Sequence, residues 1–195
     1  MTPAPCRLVS LPPVTDADDL DLVARARAGD RPAFDELMRR HQDKVFAVCL
    51  RVMRNREAAL DATQDTFLTV FRKVDQFRGE SAFSTWLYRV AMNTCYDNLR
   101  RAKRKAADPL PESHDPPDKS VEDDLGAVEL RPDLNAALAA LAPEFRSAIV
   151  LVDVEGLPLA EVAQILEVAE GTIKSRLHRG RKQLAGILGN REAWG

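Results

Sequence analysis

Ser175, His178, Arg179 and Lys182 fall on one stripe of a helical repeat, with Lys174 and Arg176 flanking it. Between Thr172 and Lys182 there are five Lys or Arg residues and no acid. Such a face offers positive potential and forked donors, the equipment needed to enter a major groove and bind base edges and phosphates. The opposite stripe, Ile173, Leu177, Leu184 and Leu188, recurs at helical spacing and is expected to bury against a preceding helix. That helix opens near Pro158 and packs through Leu159, Val162, Ala163 and Leu166, while Gly171 is expected to make the tight turn between the two. The pattern is a helix-turn-helix with a basic second helix.

A second constellation lies upstream. Phe77-Arg78-Gly79-Glu80-Ser81-Ala82-Phe83-Ser84-Thr85-Trp86 reads as a compact, glycine-bearing loop running into a helix. Trp86, Asn93, Arg100 and Arg104 repeat at about sevenfold spacing and fall near one stripe of that helix, with Phe83, Leu87, Val90, Ala91 and Thr94 on another. An aromatic wall, an amide and guanidinium groups suit single-stranded nucleic acid, through stacking, base-edge reading and phosphate attraction. The alternative for the same residues is a core tryptophan and an asparagine that bonds local backbone.

The helix before this loop carries a third face. Asp61, Gln64, Asp65, Leu68 and Arg72 share one side, and an apolar residue among acids suggests a docking surface. Leu60, Phe67, Phe71 and Val74 are expected to form its buried stripe.

Positioning these residues requires helices throughout. Patterns over Asp16–Ala28 (with Leu20, Val23 and Ala24), Pro32–Met53, about Glu57–Asp75 and about Ser84–Lys105 follow one another, with little strand signal and a break at Gly29. Residues 106–133 hold five prolines and nine acids against Lys119 and Arg131, a composition that cannot bury a core, with a short helix allowed near Val121 to Leu130. Helical signal returns with Leu138, Leu141, Phe145, Ile149 and Val150. The expected fold is all-α, two small helical domains joined by a flexible acidic linker. Residues 1–15 form a disordered tail, 16–105 the first domain, 106–133 the linker and 134–190 the second domain.

The 195 residues carry a net charge of −2, so basic character is segregated into Arg100–Lys105 and Lys174–Lys182 rather than spread as a coat. No apolar run approaches the roughly 20 residues that span a bilayer, and the first fifteen residues lack a signal-peptide centre, so no membrane insertion and a cytoplasmic location are expected. Cys6, Cys49 and Cys95 show neither disulfide nor metal-ligand spacing, and no cofactor is expected. Cys49 and Cys95 read as buried thiols and Cys6 as a tail cysteine open to a regulatory role.

In order and spacing, Asp61-Ala62-Thr63-Gln64-Asp65-Thr66-Phe67, the run from Phe77 to Thr94, and Gly171-Thr172-Ile173-Lys174-Ser175-Arg176 resemble the extracytoplasmic-function (ECF) sigma factors of bacteria, over about Asp19 to Leu188. The resemblance implies sigma region 2 followed by region 4 and no catalytic chemistry. It implies that Asp61, Gln64, Asp65, Leu68 and Arg72 dock on the clamp helices of the largest subunit of core RNA polymerase, whose flap is a further partner. Phe77, Arg78, Gly79, Ser81, Ala82, Phe83, Trp86, Asn93 and Arg100 would then capture the opened minus-ten strand. Lys174, Ser175, His178 and Arg179 would read minus-thirty-five duplex, with Arg176 and Lys182 on phosphates. An anti-sigma factor is the further partner implied.

Two rivals follow from the residues alone. A stand-alone helix-turn-helix repressor or activator would leave the first domain's faces unused. A recombinase would need a nucleophile or clustered carboxylates, and Asp61 with Asp65 is the close acidic pair that would have to serve.

Overall fold

A computed structural model describes residues 16–107 and 132–189. Every regular element among them is helical. The tail with Cys6, the segment 108–131 with its allowed helix, and the last six residues lie outside the described residues.

The first domain begins with α1 (Asp16–Arg27), which ends where Gly29 takes φ +89°. Asp30 caps α2 (Arg31–Met53), its carboxylate accepting from the Ala33 amide at 3.4 Å, with Pro32 in the first turn. Arg54 closes α2 at φ 59°, its amide bonded to the Leu50 carbonyl. Asn55 then caps α3 (Arg56–Lys73), accepting from the Ala58 amide at 2.8 Å. A 3₁₀ turn (Val74–Gln76) leads into the loop and then α4 (Phe83–Ala107). Each boundary falls within two residues of the sequence expectation.

α3 departs from its expected stripe. Phe67 and Val74 are buried, but Leu60 is 47% and Phe71 54% exposed. The inward face is instead Ala59, Ala62, Thr66 and Val70. Small residues let α3 lie close against α2 and α4, and Thr66 tolerates complete burial because its hydroxyl donates to the Ala62 carbonyl at 2.6 Å. In α1 likewise, Leu22 and Val23 turn inward while Leu20 stays exposed.

The second domain comprises α5 (Pro132–Ala139), α6 (Pro143–Ile149, continued by a π turn over Val150–Val154), α7 (Leu159–Ile165) and α8 (Glu170–Gly189). Its first helix opens on Pro132, two residues ahead of the expected boundary. Arg146 ties the domain together: its Nε donates to the Leu138 carbonyl, its Nη2 to those of Ala139 and Leu141. The Leu138 and Ala139 carbonyls end α5 and that of Leu141 lies just beyond it, so a buried cation does the work of a C-cap. Burial, reinforced by the Arg54 charge, lowers its pKa to about 10.

The domains are packed on one another. One continuous apolar core includes residues of both, α4 lies against α7, and α2 lies against the π turn. Polar bonds cross the boundary: Arg146 Nη1 to the Val52 carbonyl at 2.6 Å, Arg51 Nη1 to Glu155 Oε1 at 2.9 Å, and Thr85 Oγ1 to Glu161 Oε2 at 3.2 Å. Tyr96 and Ser147 hydroxyls lie 2.5 Å apart, with Tyr96 as donor because Ser147 gives its proton to the Pro143 carbonyl.

Candidate nucleic-acid interfaces

α8 rests on α6 and α7 through Ile173, Leu177, Gly180 and Leu184, all buried. The turn before it is built differently from the sequence expectation. Gly171 has no positive φ and lies within the first turn of α8; Glu167, at φ 54°, makes the reversal. The Val168 amide then bonds back to the Ala163 carbonyl at 3.0 Å, which satisfies an end of α7.

This seating leaves Lys174, Ser175, His178, Arg179 and Lys182 exposed. Arg176 is half-buried and close enough to Tyr96 of α4 to act on its hydroxyl electrostatically. Arg181, absent from the sequence-derived set, forms a two-pronged pair with Asp153 at 3.0 and 2.5 Å, tying α8 to the π turn. Helical spacing places it beside the basic face, but its partner lies 28 positions away, beyond any local pattern.

The loop site has an aromatic floor. Phe77, Phe83 and Trp86 have ring centroids 5.5–5.9 Å apart and are buried, Trp86 being 8% exposed. These rings support the loop more than they project from it. Arg78, Gly79 and Glu80 are exposed and Ser81 and Ala82 half-buried, with Gly79 at φ +72°, a conformation that favours glycine. A hollow opens here, lined by Gln76, Phe77, Arg78, Glu80, Ser81, Trp86, Arg89 and, from the second domain, Gln164. Arg89 was missed, although it stands three residues from Trp86 on the same helical side. Gln164 gave no sequence signal, because only tertiary packing brings it there.

Farther along α4, Asn93 is exposed, and Asp97, Arg100, Arg101, Lys103 and Arg104 line a mostly basic groove. Arg100 bonds Asp97 at 3.3 Å, an exposed pair readily exchanged for phosphate.

The α3 face carries Asp61, Gln64, Asp65, Leu68 and Arg72 exposed, Leu68 at 45%. Beside it runs an apolar groove between α2 and α3 lined by Phe34, Met38, Phe46, Leu60, Phe67 and Phe71. Phe34 and Phe71 meet edge to face at 5.1 Å. Three large exposed apolar side chains on one helix exceed what scattered surface residues account for.

Cys49 and Cys95 are free and buried in the first domain. Among the described residues no group of three or more His, Cys, Asp or Glu could hold a metal ion, and no helix is long and apolar enough to cross a membrane.

Two family models match the chain, Sigma-70 region 2 over residues 37–105 and Sigma-70 region 4 over residues 132–184. The ECF RNA polymerase sigma factor SigM of Mycobacterium tuberculosis is 40% identical over 174 residues, covering 89% of this chain and 86% of that protein. SigW of Bacillus subtilis is 30% identical over 182 residues, covering 83% and 92%. Among solved structures, CnrH in complex with the cytosolic domain of CnrY is similar with TM-score 0.66 and 25% identity, over 89% of this chain and 98% of that one. The sigma factor RpoE of Bartonella quintana, in complex with the anti-sigma factor NepR, is similar with TM-score 0.65 and 28% identity, over 80% and 96%.

Proposed function

The chain belongs to the ECF RNA polymerase sigma factors, and from that premise we propose how its faces divide the work of promoter recognition. It binds core RNA polymerase and directs promoter-specific transcription initiation. The α8 face, with Lys174, Ser175, His178 and Arg179 toward base edges and Arg176 and Lys182 toward phosphates, reads minus-thirty-five duplex. The loop from Phe77 to Trp86, with Asn93 and Arg100, takes the opened minus-ten strand.

Extruding a base costs a few kcal/mol of unstacking, offset by pocket contacts and backbone attraction, so reading a base outside the stack couples recognition to strand opening. The buried Phe77, Phe83 and Trp86 keep the loop rigid, which holds Arg78, Ser81 and Arg89 in place for such a base. The exposed α3 face, with Asp61, Gln64, Asp65, Leu68 and Arg72, docks on the polymerase clamp helices, and the second domain engages the flap. The work requires no catalytic residue and no cofactor, and its setting is the cytoplasm, where polymerase acts. The NepR complex of a similar sigma factor supports an anti-sigma partner for this chain as well.

The observation that carries this reading is the presence in one chain of an exposed basic helix on a helix-turn-helix and a loop hollow at the head of α4. A stand-alone repressor would use the first alone. In vitro transcription with core polymerase on a genomic library, with start sites mapped, tests it: starts should share one pair of upstream elements. Tight duplex binding without polymerase, or strand cleavage by the isolated protein, would contradict the reading.

A further inference from the structure

α1 precedes the segment that matches Sigma-70 region 2, which begins at residue 37, yet it reaches the strand-reading loop at two points. Near its start Asp19, 1% exposed, faces His41 of α2, the ring Nε2 donating to Oδ2 at 2.7 Å. The His41 ring in turn meets Phe83 edge to face at 5.4 Å, and Phe83 is the ring against which Phe77 and Trp86 both lie. At the other end of α1, Arg27 Nη1 donates to the Phe77 carbonyl at 3.5 Å, a bond spanning 50 positions. We propose that Asp19, His41 and Arg27 are positioning residues for strand opening: they brace the two ends of the loop, Phe77 and Phe83, in the form that receives an extruded base before DNA arrives. The functional meaning of the brace rests on the loop's role proposed above; the brace itself does not.

A buried carboxylate beside a buried imidazole is a costly way to fill space, because both give up water, and apolar side chains of similar volume serve stability as well or better. What the polar pair adds is direction. The bond to Asp19 fixes the plane of the His41 ring, and an edge-to-face contact then favours one orientation of Phe83. Arg40 Nη1 stands 3.5 Å from the other oxygen of Asp19, so the carboxylate has little freedom to turn. Arg27 acts on backbone instead, at the point where the chain leaves the 3₁₀ turn. Between these two ends, a Cβ built on Gly79 would meet open space, so the crest of the loop has no packing of its own to set its shape. A loop that holds its receptive form only part of the time binds more weakly by that fraction.

Trp86, packed on Phe83, provides the readout. The chain has two tryptophans, Trp86 and Trp194, so a Trp194→Phe background of the full chain isolates it. In that parent, Asp19→Leu with His41→Leu replaces the polar pair by apolar groups, and Arg27→Ala separately removes the tether. Arg27 is exposed, so its variant folds whatever the buried pair contributes. Both variants should keep the parent's urea midpoint and its affinity for core polymerase, since the α3 docking face is untouched. Time-resolved anisotropy of Trp86 should show faster local motion, and holoenzyme should form open complexes about tenfold less if the unbraced loop is receptive about a tenth of the time. The salt dependence of promoter binding should keep its slope, which loss of a phosphate contact would reduce by about one. Unchanged Trp86 motion in the folded variants would overturn the brace. Equal losses of core binding and open-complex formation, the mark of a folding defect, would overturn it too, as would a reduced salt slope for Arg27→Ala with Trp86 unmoved. Faster Trp86 motion with unchanged open-complex formation would uphold the brace and overturn the loop's role instead.

Discussion

Gly180 of α8 lies directly against Ile149 of α6: a Cβ built on Gly180 would stand 2.7 Å from Ile149 Cδ1 and 3.3 Å from Phe145 Cβ. Alanine is favoured over glycine within a helix by about 1 kcal/mol, so an exposed Gly180 would be improved by the change. Here the contact reverses the sign. Ile149 is buried in the core and has little room to turn, and the Phe145 Cβ is fixed to backbone. Gly180→Ala should lower second-domain stability by about 1 kcal/mol, and Gly180→Val by about 3 kcal/mol, as overpacking does. Adding Ile149→Val to Gly180→Ala should recover part of the loss, measured as a double-mutant cycle in urea. Strict additivity would mean that the two side chains do not meet.

Much of this molecule is written in local pattern. Asp30, Asn55 and Gly29 mark helix ends because each bonds or relieves its own backbone, and the basic face of α8 follows from a repeat within one helix. What local pattern cannot carry is the choice among competing packings. Hydrophobicity favoured Leu60 and Phe71 as core, whereas close approach of α2 and α4 selected Ala59, Ala62 and Val70. Glycine was the natural reversal residue, yet Glu167 took the left-handed conformation and left Gly171 in regular helix. Arg51 and Glu155 are 104 positions apart, and nothing near either announces the other.

The misread side of α3 bears on docking. With Leu60, Leu68 and Phe71 exposed beside Asp61 and Asp65, the surface offers an apolar centre rimmed by charge, the usual make-up of an energetic contact. Leu68→Ala and Phe71→Ala should each weaken binding to core polymerase by about 1 to 3 kcal/mol, with folding stability changed by less than about 1 kcal/mol for Leu68→Ala and by about 1 to 2 kcal/mol for Phe71→Ala, which gives up its edge-to-face contact with Phe34. Fluorescence titration of labelled core enzyme checks the first and urea unfolding the second. A large stability loss with unchanged binding would reassign these residues to structure.

Asn93 is exposed on α4 two turns beyond Trp86. If its amide reads the opened strand, Asn93→Ala should reduce open-complex formation at least tenfold while leaving polymerase affinity unchanged. Permanganate footprinting of promoter thymines reports the first and competition for core enzyme the second. Equal losses in both would place the residue in folding or docking.

Glu36 lies between two guanidinium groups, Arg39 at 2.7 and 2.8 Å and Arg40 at 2.8 Å, and their hydrogen bonds lower its pKa to about 2. A depressed carboxyl stabilises the fold above its unfolded pKa, and that contribution disappears as pH falls from about 4.5 toward 2. The effect on stability is small because the group lies at the surface and its pairs are screened by solvent. Its titration is the sharper observable: the Glu36 carboxyl carbon should titrate near pH 2 by NMR, and Arg39→Gln with Arg40→Gln should return it to the ordinary glutamate range. A midpoint already near 4.5 would contradict the paired geometry.

Arg179 and Arg181 stand two residues apart on α8 with different expected duties. Arg179 is exposed, whereas both prongs of Arg181 are held by Asp153. A free guanidinium can form the two-pronged contact to guanine that discriminates bases; one already paired contributes position and long-range charge. Arg179→Ala should therefore cost about 1 to 3 kcal/mol of discrimination at one minus-thirty-five position. Arg181→Ala should weaken promoter binding nearly uniformly across sequences, by less than about 1 kcal/mol, since its ion pair is largely exposed. Holoenzyme binding to a panel of single-base promoter variants separates the two patterns. Loss of discrimination from Arg181→Ala, with none from Arg179→Ala, would mean that Asp153 surrenders its partner on DNA and that the reading face is rotated toward Arg181.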